Sequence, residues 1–381
     1  MEIPALAGTP PSAHSDLHSE QGALRGERPG RSRSPVIKVR DLAWLVFEKP
    51  DLDRAETFAR DFGLTVGVRT ADELRLRGTF AGTDAVVIRR GPASRFVGPV
   101  FRAADRADLG RLARHAGARV RPVGPGRAGA VVDLVDPTGF PVGVVHGADS
   151  HPALPEQVAL PLNTGTAKRR LNATQRPARE PARVQRLGHV VLETPRFGAA
   201  LDWYLDTLGM IVSDFLFLPG QRGLGPTMAF LRCDRGATPA DHHTLAMHLG
   251  PGSGYVHSAY QVTDLDALAA GGEYLRERGY RRTWGIGRHI QGSQLFDYWR
   301  DPDRLMVEHF ADGDLFDASV EPGWAPLSAS GLAQWGPPVT RDFLGTTPSP
   351  ARLRELTAAL RAEDTELTAA RLLALMKAMS S

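Results

Sequence analysis

An internal duplication restricts the fold of this chain more than any other feature. Residues 184–310 repeat the pattern of residues 36–146: an apolar β-branched run, an amphipathic stretch ended by glycine, and further strand-like runs, followed by a second such set. The paired segments are 187–195 with 42–50, 197–209 with 52–63, 260–264 with 101–105, and 301–302 with 136–137. A chain that copies one β-rich unit is best interpreted as a tandem duplication. We therefore predict an α+β fold of two modules, each with an element order of roughly β-α-β-β-β taken twice.

Composition sets the expected limits of the modules. Residues 1–35, the leader, and residues 148–183, the linker, are rich in small, polar and basic residues and contain few large apolar ones. Such a composition favours disorder or a segment that crosses the surface. Ser349 and Pro350 form a common helix start, and the spaced leucines that follow predict packing or contacts between subunits. The predicted segments are a disordered leader at 1–35, a first module at 36–147, a linker at 148–183, a second module at 184–345 and a helical tail at 346–381.

Three polar residues interrupt apolar, strand-like runs of the second module: His189, His257 and Glu308. A carboxylate in a half-buried strand is costly unless it is paired or bound to a cation. Two imidazoles and one carboxylate are the donor set of the facial triad of non-haem Fe(II) oxygenases, which leaves positions open for substrate and O2. The three residues are therefore candidate metal ligands, provided that their strands converge.

The first copy lacks all three donors. The duplication aligns them, in chain order, with Trp44, Gly98 and Gly143. The scaffold therefore does not need polar residues at these positions. We predict that the first module binds no metal and that the second module carries the chemistry.

Further elements of the second module occur in a specific order. They are Gly188-His189-Val-Val-Leu192, His242-His243-Thr244, Tyr255-Val-His257, Arg288-His289, Tyr298 nine residues later, and Glu308 after ten more. With this set, residues 36–343 resemble the type I extradiol ring-cleavage dioxygenases of the vicinal-oxygen-chelate superfamily, such as the 2,3-dihydroxybiphenyl and catechol 2,3-dioxygenases. The resemblance implies tandem vicinal-oxygen-chelate modules, each built from two βαβββ repeats, that form a funnel-like barrel. It does not cover the leader, the linker or the tail beyond Gly345.

The resemblance also implies the chemistry of the site. The family uses Fe(II), more rarely Mn(II), which the three candidate ligands would bind, and it opens a catechol-type ring by inserting both atoms of O2. By the same resemblance, His243 would act as an acid–base residue toward oxygen. His289 would hydrogen-bond a substrate or intermediate oxygen, and Tyr298 would hydrogen-bond the catecholate oxygen that loses its proton. Family members commonly assemble as homo-oligomers.

Residues around these candidates carry weaker expectations. Strand alternation would place His242 opposite His243, facing solvent or supporting the site from behind. Trp284 is a candidate pocket residue, and the aromatic segment 312–343 could fold back over the barrel mouth. An apolar aromatic substrate is suggested by the remaining candidate wall residues, which are 215–218, Met247, Ile286, Ile290 and Phe296.

Charge and hydropathy exclude several other classes. The net charge is only +3, and the basic clusters are not interleaved with aromatic residues, so we predict no nucleic-acid surface. No apolar run is long enough to cross a membrane, and the N-terminus lacks the apolar core of a signal peptide. The single cysteine, Cys233, excludes an internal disulfide and suits a reducing cytoplasm. We expect a cytoplasmic protein without a membrane partner.

Two other functions fit the same fold and remain open at this point. One is a metal-dependent isomerase or lyase of the glyoxalase kind. That class often takes metal ligands from both modules, for which Trp44 and Gly143 offer no donor. The other is a non-catalytic protein that binds a small aromatic compound such as an antibiotic, against which the complete donor set argues.

Overall fold

In the computed structural model, the described part of the chain comprises residues 22–328, 330–346 and 350–379, and Ser349, the predicted start of the tail, lies outside it. Within these residues the first module is an eight-stranded sheet with the order β2-β3-β4-β1-β5-β8-β7-β6. Its strands are β1 (Asp41–Lys49), β2 (Thr65–Arg69), β3 (Glu73–Arg77), β4 (Val86–Arg90), β5 (Arg95–Arg102), β6 (Val120–Gly124), β7 (Arg127–Val135) and β8 (Pro141–His146). Its helices are α1 (Leu52–Asp61) and α2 (Arg106–Ala116).

The second module repeats this arrangement with additional strands. Among the described residues its sheet has the order β19-β10-β11-β13-β9-β14-β17-β16-β15-β20, and β12 pairs with β18. Its strands are β9 (Arg186–Thr194), β10 (Met210–Phe217), β11 (Met228–Cys233), β12 (Ala240–Asp241), β13 (Leu245–Leu249), β14 (Gly254–Gln261), β15 (Arg281–His289), β16 (Leu295–Arg300), β17 (Met306–Ala311), β18 (Leu315–Phe316), β19 (Gly323–Pro326) and β20 (Ala333–Trp335). The helices that follow the first module are α3 (Phe197–Leu208), α4 (Leu265–Glu277), α5 (Pro350–Arg361) and α6 (Ala369–Ala378).

Four βαβββ units therefore make up the two sheets, which confirms the predicted fold class. The two copies also share their strand register. In the first module Trp44 lies opposite Val100, and Val100 lies opposite Gly143. At the equivalent positions of the second module, His189 lies opposite Ala259, and Ala259 lies opposite Glu308. The sequence alignment of the copies thus holds residue by residue at the candidate ligands.

Local sequence signals account for the helix ends. The side chains of Asp51, Asp105 and Asp264 accept hydrogen bonds from backbone N–H groups three residues later, which satisfies donors that a helix start leaves free. Gly209 ends α3 with φ +63°, a left-handed conformation that glycine adopts without steric penalty. The aspartate caps of α2 and α4 are at equivalent places, whereas α3, the counterpart of α1, begins at Arg196 without a side-chain cap.

One apolar core extends through both modules, and polar contacts join them around it. The buried ammonium of Lys49 lies 2.5 Å from an Asp301 carboxylate oxygen and 2.7 Å from one of Asp303. His309 points away from the candidate ligands: its ring stacks on Phe62 at 3.8 Å, and its Nε2 is 2.8 Å from the Phe62 carbonyl oxygen. The first module therefore packs against the face of β17 that points away from the candidate ligands.

The described part of the predicted leader differs from our expectation of disorder, because residues 22–35 contact the second module. Arg28 donates a hydrogen bond to the Gly198 carbonyl oxygen at 3.2 Å. Arg31 forms an isolated β-bridge with Ile211. The composition predicts little burial, but these arginines bind backbone and acidic groups at the surface. No helix within the described ranges is long and apolar enough to span a membrane.

Candidate metal centre

Three neighbouring strands position the candidate ligands on one face of the second sheet. Strand β14 lies between β9 and β17, and its Ala259 is flanked by His189 on one side and Glu308 on the other. His257 precedes Ala259 by two residues, so its side chain emerges on the same face. The small side chain of Ala259 keeps the space between the three donors open.

The ligand atoms of these three residues lie within 4.8 Å of one another. The Nε2 atoms of His189 and His257 are 3.2 and 3.3 Å from Oε2 of Glu308. Two neighbouring ligands of an octahedral ion at about 2.1 Å are about 3 Å apart. The spacing of the donors therefore suits a single divalent ion.

The bonding state of these atoms fits a cation as well. Both carboxylate oxygens of Glu308 and both ring nitrogens of His257 are buried without a hydrogen-bond partner among the described residues. Burial would raise the pKa of Glu308, but the adjacent imidazoles of His189 and His257 hold it below its usual range. Burial lowers the pKa of His257 to about 4. At neutral pH the site therefore offers an anionic carboxylate and a neutral imidazole, which are the protonation states that bind metal.

His243 lies beside this centre, and a chain of polar groups supports it from behind. Its ring centroid is 4.0 Å from that of His189. Its Nδ1 is 3.1 Å from Nδ1 of His242, whose Nε2 is 2.6 Å from a carboxylate oxygen of Asp214. Burial, followed by the charges of the neighbouring histidines, lowers the pKa of His243 well below its usual value. His243 is therefore a neutral imidazole at neutral pH.

The Asp214 contact determines which nitrogens of this pair carry protons. A carboxylate only accepts hydrogen bonds, so Nε2 of His242 must donate to it. A His242 ring that carries only this proton has a lone pair on Nδ1, which accepts from an Nδ1–H of His243. That tautomer leaves Nε2 of His243 with a free lone pair. Of the two positions expected for His242, facing solvent or supporting the site from behind, the structure shows the second, because His242 is 1% exposed and contacts His243.

His289 and Tyr298 form a second pair on the opposite side of the centre. Nδ1 of His289 is 2.7 Å from the carbonyl oxygen of Leu332, so it must donate there. Its Nε2 is 2.8 Å from the Tyr298 hydroxyl and 4.0 Å from Oε1 of Glu308. In the neutral ring Nε2 accepts, and the hydroxyl of Tyr298 donates. The lone pairs of the Tyr298 oxygen remain able to accept a proton from a ligand.

The candidate wall residues divide between the site and the core. Phe296 stacks on His289 with 4.2 Å between centroids, and the Trp284 centroid is 5.6 Å from that of His289. Phe215 and Met247 instead belong to the main core, where helix α3 covers the sheet, so they are not wall residues. The segment after β19 runs to β20 at the other edge of the sheet and brings Leu332 to the site.

All six candidate site residues thus lie around one centre. The sequence analysis did not identify Asp214. It lies 28 residues before His242, on strand β10, in a run that reads as apolar core. An acidic residue in such a run was the available signal, since the same reasoning singled out Glu308.

Comparison with known proteins adds independent information. The family model of the Glyoxalase/Bleomycin resistance protein/Dioxygenase superfamily matches residues 186–309. The chain is 30% identical over 337 residues to metapyrocatechase 2 of Cupriavidus necator, which covers 87% of this chain and 99% of that protein. It is 24% identical over 319 residues to a biphenyl-2,3-diol 1,2-dioxygenase of Metapseudomonas furukawaii, with coverage of 80% and 96%.

Solved structures show the same fold. A substrate complex of homoprotocatechuate 2,3-dioxygenase from Brevibacterium fuscum matches with a TM-score of 0.67 at 19% identity, covering 84% of this chain and 96% of that one. A Mn(II)-bound glyoxalase from Novosphingobium aromaticivorans matches with a TM-score of 0.66 at 21% identity, covering 88% and 99%. At these identities the likeness concerns the architecture alone.

Proposed function

Since this chain belongs to the extradiol dioxygenases of the glyoxalase and dioxygenase superfamily, we propose that its second module binds one Fe(II) ion through His189, His257 and Glu308 and opens the ring of a catechol. The reaction combines one diol with one O2, breaks a ring carbon–carbon bond beside the hydroxyl pair, and places both oxygen atoms in the product. One observation carries the metal assignment. The carboxylate of Glu308 is buried between the imidazoles of His189 and His257, and neither of its oxygens has a hydrogen-bond partner among the described residues.

The three donors suit this chemistry because they occupy one side of the site only. When bound, the ion supplies a redox-active centre at which an aromatic diol and O2 can both be held. The carboxylate of Glu308 partly offsets the double positive charge, and the neutral ring of His257 adds no charge. Among the described residues no further histidine, cysteine or carboxylate joins this cluster, so the other coordination positions would be left to the diol and O2. A glyoxalase-like reaction is not favoured, since the first module has no donor at the equivalent positions.

Tyr298 and His289 are placed to take a proton from the substrate. A catechol hydroxyl would give its proton to the Tyr298 oxygen as the Tyr298 hydroxyl proton moves to Nε2 of His289, 2.8 Å away. Burial lowers the pKa of His289, and the Glu308 carboxylate at 4.0 Å and the Leu332 carbonyl oxygen would oppose that effect and stabilise the resulting imidazolium. Burial and the charge of Glu308 raise the pKa of Tyr298, so the phenol passes the proton on and does not remain ionised.

His243 is the acid–base group on the oxygen side of the site in this proposal. Its Nε2 lone pair can accept a proton and return it to an oxygen atom when the O–O bond breaks. The contact with His242 orients the ring, and Asp214 fixes the tautomer. Asp214 is therefore proposed as a positioning residue that acts through two imidazoles.

Replacing Asp214 with asparagine is expected to lower kcat by about 10- to 100-fold, the range seen when an outer hydrogen-bond partner of a site is lost. An asparagine amide can donate to Nε2 of His242 and so permits the wrong tautomer. Iron content should remain that of the parent protein. The matched control is Asp234→Asn, a buried carboxylate that pairs with Lys38 at 2.5 Å. Equal kcat values in the two variants would contradict the proposed role.

The overall proposal is tested by loading the protein with Fe(II) or Mn(II) without oxygen, titrating catechol, and then admitting air. We expect one bound ion per chain, one O2 consumed per diol, and a yellow ring-opened product that carries both labelled atoms when ¹⁸O₂ is used. An isomerase would consume no O2, and a binding protein would retain the catechol unchanged. Either result would overturn the proposal.

Assembly and location remain predictions. Leu353 and Leu360 of helix α5 are 64% and 41% exposed, and such apolar side chains suit a contact between copies of the chain. A homo-oligomer in the cytoplasm is the arrangement we propose.

A further inference from the structure

An apolar cluster lies between helix α6 and the candidate metal centre. Its members include Val191 and Phe230. Val191 follows His189 by two residues on strand β9, so the two side chains share one face of the sheet. The ring centroid of Phe230 is 5.1 Å from that of His243. This part of the cluster therefore borders both a candidate ligand and the proposed acid–base residue.

The same cluster reaches the other two histidines of the site. Val256 packs against it and directly precedes His257 in strand β14. Leu332 also packs against it, and its carbonyl oxygen accepts the hydrogen bond from His289. Its members thus adjoin four different site histidines, so the cluster borders the centre along the inner face of the sheet.

Helix α6 supplies the outer side of this cluster. The residues of the helix end that belong to it or pack against it are Ala374, Leu375, Ala378 and Met379. Their spacing of one, three and one residues places them on one helix face. Leu373 is 68% exposed and faces away. The four side chains that meet the cluster are apolar, and Arg371, one turn earlier on the same face, donates a hydrogen bond to the Leu224 carbonyl oxygen instead.

The tail is anchored next to α6, so the helix has a defined position against this cluster. Glu366 accepts a hydrogen bond from the Gly198 backbone N–H at 2.7 Å, at the start of α3. Leu367 is fully buried in the main core. Farther back, Arg352 forms a bidentate pair with Glu193, both contacts being 2.6 Å. These contacts tie the tail to strand β9 and helix α3 of the catalytic module.

We propose that helix α6 forms the outer wall of the substrate site and that Leu375, with its neighbours on that face, limits the size of the ring substituent. The inference rests on the proposed ring-cleaving function, because it assigns the wall that the substituent of the catechol meets. The wall has no charged group, so the site is expected to prefer catechols with an alkyl or aryl substituent over those with a carboxylate.

The test uses a pair of opposite substitutions in the full-length, iron-loaded enzyme. Leu375→Ala enlarges the space and should raise the ratio of kcat/KM for 2,3-dihydroxybiphenyl over catechol by roughly 10-fold, the usual scale for a few methylene groups in a pocket. Ala374→Leu fills the space and should lower the same ratio by a similar factor. Leu373→Ala, on the exposed face, is the control and should leave it unchanged.

A second measurement separates this inference from the proposed function. Anaerobic binding constants for the two diols should change in the same ratio, without turnover. If the parent enzyme opens no ring, the proposed function fails, and the binding ratio still tests the wall. If Leu375→Ala does not fold, Ala374→Leu decides. Ratios equal to that of Leu373→Ala in both kinetics and binding would overturn the assignment of α6.

Discussion

Replacing Glu308 with glutamine is expected to lower the affinity for Fe(II) by at least about 100-fold and to remove ring cleavage. Loss of a hydrogen-bond partner outside the ligand set typically lowers metal affinity 10- to 100-fold, and loss of a ligand should exceed that. Glutamine has nearly the same size but no charge, so it cannot offset the positive charge of the ion. Iron content after anaerobic dialysis and calorimetric titration with Fe(II) measure the effect.

Glu193→Gln is the matched control for this variant. Glu193 lies on β9, four residues after His189, and is also buried, but its carboxylate is paired with Arg352. We expect it to retain one iron per chain. If the Glu308 variant binds iron as tightly as this control, Glu308 is not a ligand and the proposed centre is excluded.

Replacing His243 with alanine is expected to leave metal binding intact and to lower kcat by roughly 100-fold or more, the scale for a positioned acid–base residue. The expected loss falls on turnover because the ring adjoins the proposed ligand His189 without belonging to the donor cluster. Steady-state oxygen uptake and iron content, measured on the same preparation, separate the two effects.

His248→Ala provides the comparison for this loss. His248 lies five residues later, half-buried, with its Nδ1 3.2 Å from the Leu249 carbonyl oxygen and outside the site. Its replacement should leave kcat nearly unchanged. A His243 variant with the kcat of the parent enzyme would show that another group handles the proton.

The candidate metal ligands could be predicted from the sequence because the duplication distinguishes them from the scaffold. A histidine or glutamate within an apolar strand is unusual, and the aligned Trp44 and Gly143 mark it as a departure from the scaffold. The residues alone did not show that the three strands converge; the family resemblance implied it, and the shared strand order and register now bring the three side chains together. The alternation of side chains along a strand predicted which of them point to the same face of the sheet.

The remainder depends on contacts that no periodic pattern encodes. Asp214 and His242 meet because β10 and the turn before β13 lie close together, and strand alternation alone suggested that His242 could face solvent. Helix α6 shows an amphipathic pattern that a core contact, a subunit contact and a pocket wall would all produce. The leader contains few apolar residues, and its described part, residues 22–35, is positioned by arginine hydrogen bonds and a β-bridge whose partners lie more than 150 residues away.

The shared register also bears on how such a site can be gained. A Cβ atom on Gly98, the counterpart of His257, would lie 2.1 Å from the carbonyl oxygen of Pro141, and one on Gly143 would lie 3.0 Å from a methyl group of Val100. Pro141 has no N–H to give to the neighbouring strand, and here the two backbones approach too closely for any side chain. Three substitutions could therefore not turn the amino-terminal half into a second reaction centre. The obstacle at Gly98 is the neighbouring main chain, which a change of side chain does not remove. Evolution toward an enzyme with two sites would first have to separate these strands.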